Sequence, residues 1–130
     1  MVSQTKMTPI KWDSAANMHL EGVGGLAAMD YYKMWHAKKV NVFAVTQGPG
    51  RVATVVLRFD RRLSDSVLMC AVVAFGGSGD QLAANILPEI ERMARLAEAT
   101  EVFFDTDRMG LIFTAARALT GRKLRLSWSL

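Results

Sequence analysis

The sequence predicts a mixed α+β (α/β) domain in three layers, with element order (β)ααβββαβαβ. Its sheet is antiparallel in the first half and carries a parallel strand pair after a glycine loop. Three observations predict this. Two strand-like runs, VNVFAVT (40–46) and RVATVVLRF (51–59), are separated by little more than Gly48-Pro49-Gly50, and so short a connection joins antiparallel strands. A third run, VLMCAVVAF (67–75), is apolar on both faces, as a central strand covered on both sides must be. That run passes through GGSG into DQLAANILPEIERMARLAEA and then EVFFD. A strand, crossover helix and strand at this spacing are parallel and right-handed.

The elements follow in order. Ile10 and Trp12 open a short edge strand, where Pro9 is tolerated. Asp13 or Ser14 caps a helix running through Met18 and Leu20, which Gly22, Gly24 and Gly25 break. A second helix spans Leu26 to Lys38. Leu26, Ala28, Met29, Tyr32 and Trp35 share its broad apolar face, so Tyr32 and Trp35 are expected in the core and Tyr31 away from it. Lys38 and Lys39 suit its negative end. Beyond the hairpin and the polar turn DRRLSDS comes the central strand. In the crossover helix Leu82, Ile86, Ile90, Met93, Ala94 and Ala97 recur at helical spacing. Glu91 and Arg95 are expected to pair on its outer face. Pro88 either kinks this helix or opens its main body. Glu101 to Asp105 is a short buried strand and Asp107 to Leu119 a further helix stopped by Thr120-Gly121. Leu124, Leu126, Trp128 and Leu130 alternate with polar residues, as in a strand with one wet face.

The 130 residues suit a single domain, 1–130, with a real core. Hydrophobic residues are 51% and charged residues 22%, which excludes a disordered chain. The lone Cys70 sits in an apolar run. It reads as a small core residue, and a disulfide or a cysteine-built zinc cluster within the chain is excluded. No run reaches the ~18 apolar residues of a membrane-spanning helix. MVSQTKMTPIKWD lacks the apolar core of a signal peptide. The expectation is a soluble protein. His19 and His36 have no Cys or Glu neighbour at metal-ligand spacing, so no metal is expected. The net charge of +4 is uneven: Arg108, Arg117, Arg122, Lys123 and Arg125 crowd an end without acids. Such an end keeps a surface solvated or meets phosphate, nucleic acid or an acidic protein face.

The glycine loop carries a resemblance. Gly77-Ser78-Gly79, with Leu82 after it, resembles the coenzyme A loop of the GNAT (Gcn5-related N-acetyltransferase) superfamily, and the element order resembles that fold over nearly the whole chain. The resemblance implies that Gly77, Ser78, Gly79 and Asp80 lie where loop N–H groups and a helix N-terminus hold pyrophosphate, with acetyl-CoA as the cofactor. It also marks departures. Ala74 replaces the family's Gln or Arg. Asp80 puts a carboxylate beside the phosphates; like charges ~4 Å apart at an effective dielectric of ~20 cost about 4 kcal/mol. Asp107 and Phe113 stand nearest the positions of a family Asn and a proton-donating Tyr, and phenylalanine donates no proton. One last strand stands where the family carries a closing hairpin.

Three functions follow. The first is a GNAT-like protein with impaired chemistry and a structural or binding role. It resembles the small GNAT-like proteins of tailed bacteriophages, which implies protein partners in a virion or its assembly and a place in the virion or the host cytoplasm. The second is an acyl-CoA-dependent N-acetyltransferase, in which Glu21 or Asp30 between the first two helices would meet the acceptor amine. The third is a basic nucleic-acid-binding module using Arg117, Arg122, Lys123 and Arg125. An oligomer is compatible with each.

Overall fold

A computed structural model describes residues 4–64, 66–77, 85–104 and 117–118. One sheet runs through them in sequential strand order, β1 to β6. Its strands are β1 (Thr5–Ile10), β2 (Asn41–Gln47), β3 (Gly50–Arg61), β4 (Leu68–Gly77), β5 (Glu101–Phe104) and β6 (Arg117–Ala118). The first four are antiparallel neighbours, β4 and β5 are parallel, and β5 and β6 are antiparallel. Helices α1 (Ser14–Leu20), α2 (Ala28–His36) and α3 (Leu87–Leu96), with a 3-10 turn at Val23–Gly25, complete the described elements. This is the three-layer mixed sheet of the GNAT-like fold.

Two apolar clusters make the layers. Odd-numbered positions of β2 and β3 (Phe43, Val45, Val55, Leu57) pack with Cys70, Val72 and Val102 against Ile86, Leu87, Ile90 and Ala94 of the α3 segment. The opposite parity (Val42, Val56) packs with Ala74 against Ala16, Leu20, Ala28 and Tyr31 of α1 and α2. Alternation along the strands sends successive side chains to opposite faces. β4 feeds both clusters, as its apolar run requires.

The β1 strand lies earlier than Ile10–Trp12. Pro9 sits on it opposite Phe43, where an edge strand loses no ladder bond. The outer edge of β1 is closed by α3. Glu89 Oε1 accepts the Met7 N–H at 2.8 Å, and Arg92 Nη2 donates to the Met7 carbonyl at 3.0 Å. Two side chains thus satisfy a strand's orphan groups as a further strand would. Pro88 falls in the first turn of α3, after a π-type turn at Asn85–Ile86, so it opens the helix body instead of kinking it.

Three expectations are corrected. Arg117 and Ala118 are strand, paired with Val102 and Glu101, and not the end of a helix over 107–119; the open side of β5 takes up their backbone groups despite helix-favouring side chains. Tyr31 is the buried tyrosine of α2, while Tyr32 and Trp35 are half-buried, and Leu26 and Met29 are exposed. The helix begins at Ala28, so Ala28 and Tyr31 form the inward i,i+3 stripe. The buried Tyr31 hydroxyl donates to Val23 O at 2.6 Å, the partner such a group requires. Glu91 is buried, and Arg95 reaches it at 3.8 Å from the exposed side. The strand expected over 124–130 lies outside the described residues.

Candidate functional site

The site is built at the carboxyl end of β4. Along β3, β4 is paired from Leu68 to Gly77, but along β5 it is paired only from Met69 to Val72. At that point β4 carries a bulge: Val72 faces Leu57 and Ala74 faces Val56, with Val73 as the extra residue. A bulge bends the strand and sharpens its twist. Past Val72 the β5-facing edge of β4 has no strand partner among the described residues. Among the described residues, the carboxyl end of β4 leads from this bulge directly to the start of the glycine loop.

Two glycines shape that end of the strand. Gly76 is buried against the His19 backbone at the end of α1, and a Cβ there would run into the His19 carbonyl. Gly77 has φ +143°, and a Cβ on it would lie 2.6 Å from Ala53 Cβ. Both positions exclude any larger residue, one by close approach and one by both approach and conformation. Ser78, Gly79 and Asp80, the rest of the expected cofactor loop, lie outside the described residues. So do Asp107 and Phe113, and Arg122, Lys123 and Arg125 of the basic end. Arg117 is placed on β6 by its backbone.

The fit to coenzyme A is partial. Gly76 and Gly77 end β4 in bare backbone next to the glycine loop. Ala74 is buried in the α1–α2 cluster and offers no donor.

On the α1 side the structure assembles a polar chain that the sequence did not single out. Asp13 Oδ1 caps α1 by accepting the Ala16 N–H at 2.8 Å. Arg51 Nη1 donates to Asp13 Oδ2 at 2.7 Å, and its Nη2 donates to Thr54 Oγ1 at 2.8 Å. Thr54 is fully buried, and its hydroxyl lies 2.9 Å from His19 Nδ1. Burial, and then the charge of Arg51, hold the His19 pKa below its ordinary value of 6.5. The bond from Arg51 holds the Asp13 carboxyl below its ordinary 3.8. His19 is therefore held toward the neutral imidazole, its ring on Thr54 of β3 and its backbone against Gly76. The signal in the sequence was Asp13 at an N-cap; nothing local ties it to Arg51, Thr54 or His19.

The carboxylates expected to meet an acceptor serve the backbone. Glu21 Oε2 accepts the Ala28 N–H at 3.3 Å and Asp30 Oδ2 accepts the Ala27 N–H at 3.0 Å, both at the start of α2. Among the described residues no group of three or more His, Cys, Asp or Glu is arranged to hold a metal ion. No described helix is long and apolar enough to cross a membrane.

No family model and no curated protein matches the sequence. Among solved structures, the chain is similar to the crystal structure of an acetyltransferase from Trypanosoma brucei. The TM-score is 0.55 at 13% identity, over 95% of this chain and 99% of that one. At that identity the likeness concerns the fold.

Proposed function

We propose that this protein binds an acyl-coenzyme A at the carboxyl end of β4 and transfers its acyl group to an amine. The observation that carries the reading is a coincidence of features at one place. The β4 bulge, the close approach of Gly76 to α1 and that of Gly77 to β3 all fall within Val72 to Gly77, directly before the glycine loop. The likeness to an acetyltransferase over nearly the whole of both chains supports it. Bound, the thioester supplies an activated acyl carbon. The chain's part is to expose the backbone of β4 and Gly77 to the donor and to exclude water by the walls of α1 and α3. His19, neutral and held by Thr54, takes the proton of the acceptor amine.

A second reading has its own support. Ala74, buried among apolar side chains, removes a cofactor contact, and Asp80 and Phe113 weaken the site further. On this reading the fold serves as a binding or structural protein with impaired chemistry, of the type seen in tailed-phage virions.

Melting with and without acetyl-CoA, joined to thiol release over a panel of amines, separates the two. Ligand at ~100 times Kd adds about 2.7 kcal/mol, a rise of several degrees for a chain of this size. A rise with thiol release supports the transferase. A rise without release supports a binding protein that keeps the cofactor site. No rise at millimolar acetyl-CoA overturns acyl-CoA binding altogether.

A further inference from the structure

We propose that the carboxyl end of α2 forms a second binding site, one that takes a nucleotide unit: a nucleobase against Trp35 and His36, with its phosphate on Lys38. The site lies away from the carboxyl end of β4 and does not rest on acyl transfer. β2 and β4 run in the same direction on either side of β3. Asn41 at the start of β2 is therefore at the opposite end of the sheet from Gly77 at the close of β4.

An open depression of about 520 Å³ is lined here by Trp35, His36, Lys38, Val40 and Asn41. That volume suits a small ligand. Its aromatic wall is preorganised. Tyr32 packs edge-on against Trp12 with centroids 5.6 Å apart, lies 6.0 Å from Trp35, and stacks on His36 at 5.8 Å and 29°. The stack fixes the planes of Trp35 and His36 before any ligand arrives, which lowers the entropy lost on binding.

Charge completes the match. Lys33, Lys38 and Lys39 are exposed and in no ion pair among the described residues. Lys38 stands at the rim with φ 61°. A flat π-face beside an ammonium group is the pairing by which single strands are held, base on ring and phosphate on cation. The exposed Asn41 amide adds a donor and an acceptor for a base edge. An acidic peptide would satisfy the lysines and leave the rings uncovered, so the nucleotide accounts for more of the site.

The test uses the full chain with two probes: a fluorescein-labelled dT12 followed by anisotropy at low salt, and ADP followed by tryptophan quenching. Binding of dT12 alone identifies a single-strand site; quenching by ADP identifies a free-nucleotide site. Either supports the proposal if Trp35→Ala weakens it about 10-fold or more, the span of one lost stack, and Trp35→Phe restores most of the loss. Lys38→Gly is the second variant. It relieves a left-handed lysine, so it raises the melting temperature while it weakens binding and lowers the salt slope by about one. Its stability gain separates lost binding from lost folding. The proposal is overturned if neither probe binds, or if binding is unchanged in Trp35→Ala and Lys38→Gly, which would point to the basic carboxyl end. It is also overturned if polyglutamate displaces dT12 as well as unlabelled dT12 does. Acetyl-CoA carries an adenine nucleotide that this site would take, so acyl transfer is followed by thiol release, which is unchanged in both variants and keeps this test separate from that of acyl transfer.

Discussion

At the scale of single residues, Asp13, Arg51, Thr54 and His19 form one hydrogen-bonded chain of four side chains. Asp13 does two jobs, since one oxygen caps α1 and the other holds Arg51. Asp13→Ala is expected to cost about 1 kcal/mol or somewhat more, the range of a lost N-cap, read as a drop of about 4 °C in Tm. The pH dependence follows from two depressed pKa values. A group whose folded pKa is lowered adds stability above its unfolded pKa and loses it as pH falls. His19 contributes fully above its ordinary 6.5 and fades below it; Asp13 contributes above its ordinary 3.8 and fades below that. A Tm profile from pH 8 to pH 4 is expected to fall from about pH 6.5 downward, and His19→Gln is expected to flatten that first decline. The same variant is expected to lower acyl-transfer kcat by about 10²-fold or more if His19 takes the amine proton. Cys70 offers a simpler check. Burial pushes its thiol up to about 12, so a disulfide reagent should leave the native thiol intact at pH 8 and modify it once the chain unfolds.

At the scale of elements, α3 both covers a sheet face and closes a sheet edge. Its apolar side inserts Ile90 and Ala94 into the core. Ile90 is fully buried, so Ile90→Ala is expected to cost about 2–5 kcal/mol, measured by urea unfolding at constant m. Its polar side clamps β1 through Glu89 and Arg92, whose mutual hydrogen bond holds the Glu89 carboxyl below its usual range. Removing Arg92 should loosen the edge: Arg92→Ala is expected to speed hydrogen exchange at the Met7 amide more than at Val55 in the sheet centre. The elements themselves were largely legible. The hairpin β2–β3 shows two runs rich in β-branched residues and a turn too short for any other connection. Pro88 left two readings because a proline is compatible with a first turn or with a kink, and the choice lay with how Ile86 and Leu87 pack under the sheet. The phase of α2 was misread by one residue because the glycine turn, and not the apolar pattern, sets where the helix begins.

At the scale of the whole molecule, the two proposed sites lie apart on the sheet. The carboxyl end of β4 carries Gly76 and Gly77 beside α1; the start of β2 lies by the aromatic rings and lysines of α2. Acetyl-CoA with thiol release addresses the first site, and the dT12 and ADP titrations address the second. Thiol release and dT12 anisotropy are the readouts expected to respond independently, because no described residue belongs to both sites and dT12 lacks a thioester. The arrangement also gives Gly76 a global role. It lets α1 lie against β4, so Gly76→Val is expected to push α1 off the sheet and lower Tm sharply. Loss of the near-ultraviolet circular dichroism of the aromatic cluster would report the same displacement.

The sequence by itself determined the strand order through β5, the hairpin, the central strand and its two faces, and the place of a glycine loop before a covering helix. These follow from local periodicity and turn chemistry, which act over a few residues and are written in the chain. Tertiary structure decided the rest. It put Tyr31 inside and Tyr32 against Trp35, because a helix's phase depends on its anchoring turn. It drew Arg117 and Ala118 into a strand, because the open side of β5 was there to be paired. It joined Asp13, Arg51, Thr54 and His19, which are up to 41 positions apart in the chain, because a buried hydroxyl takes whatever partners the packed sheet and helix bring to it.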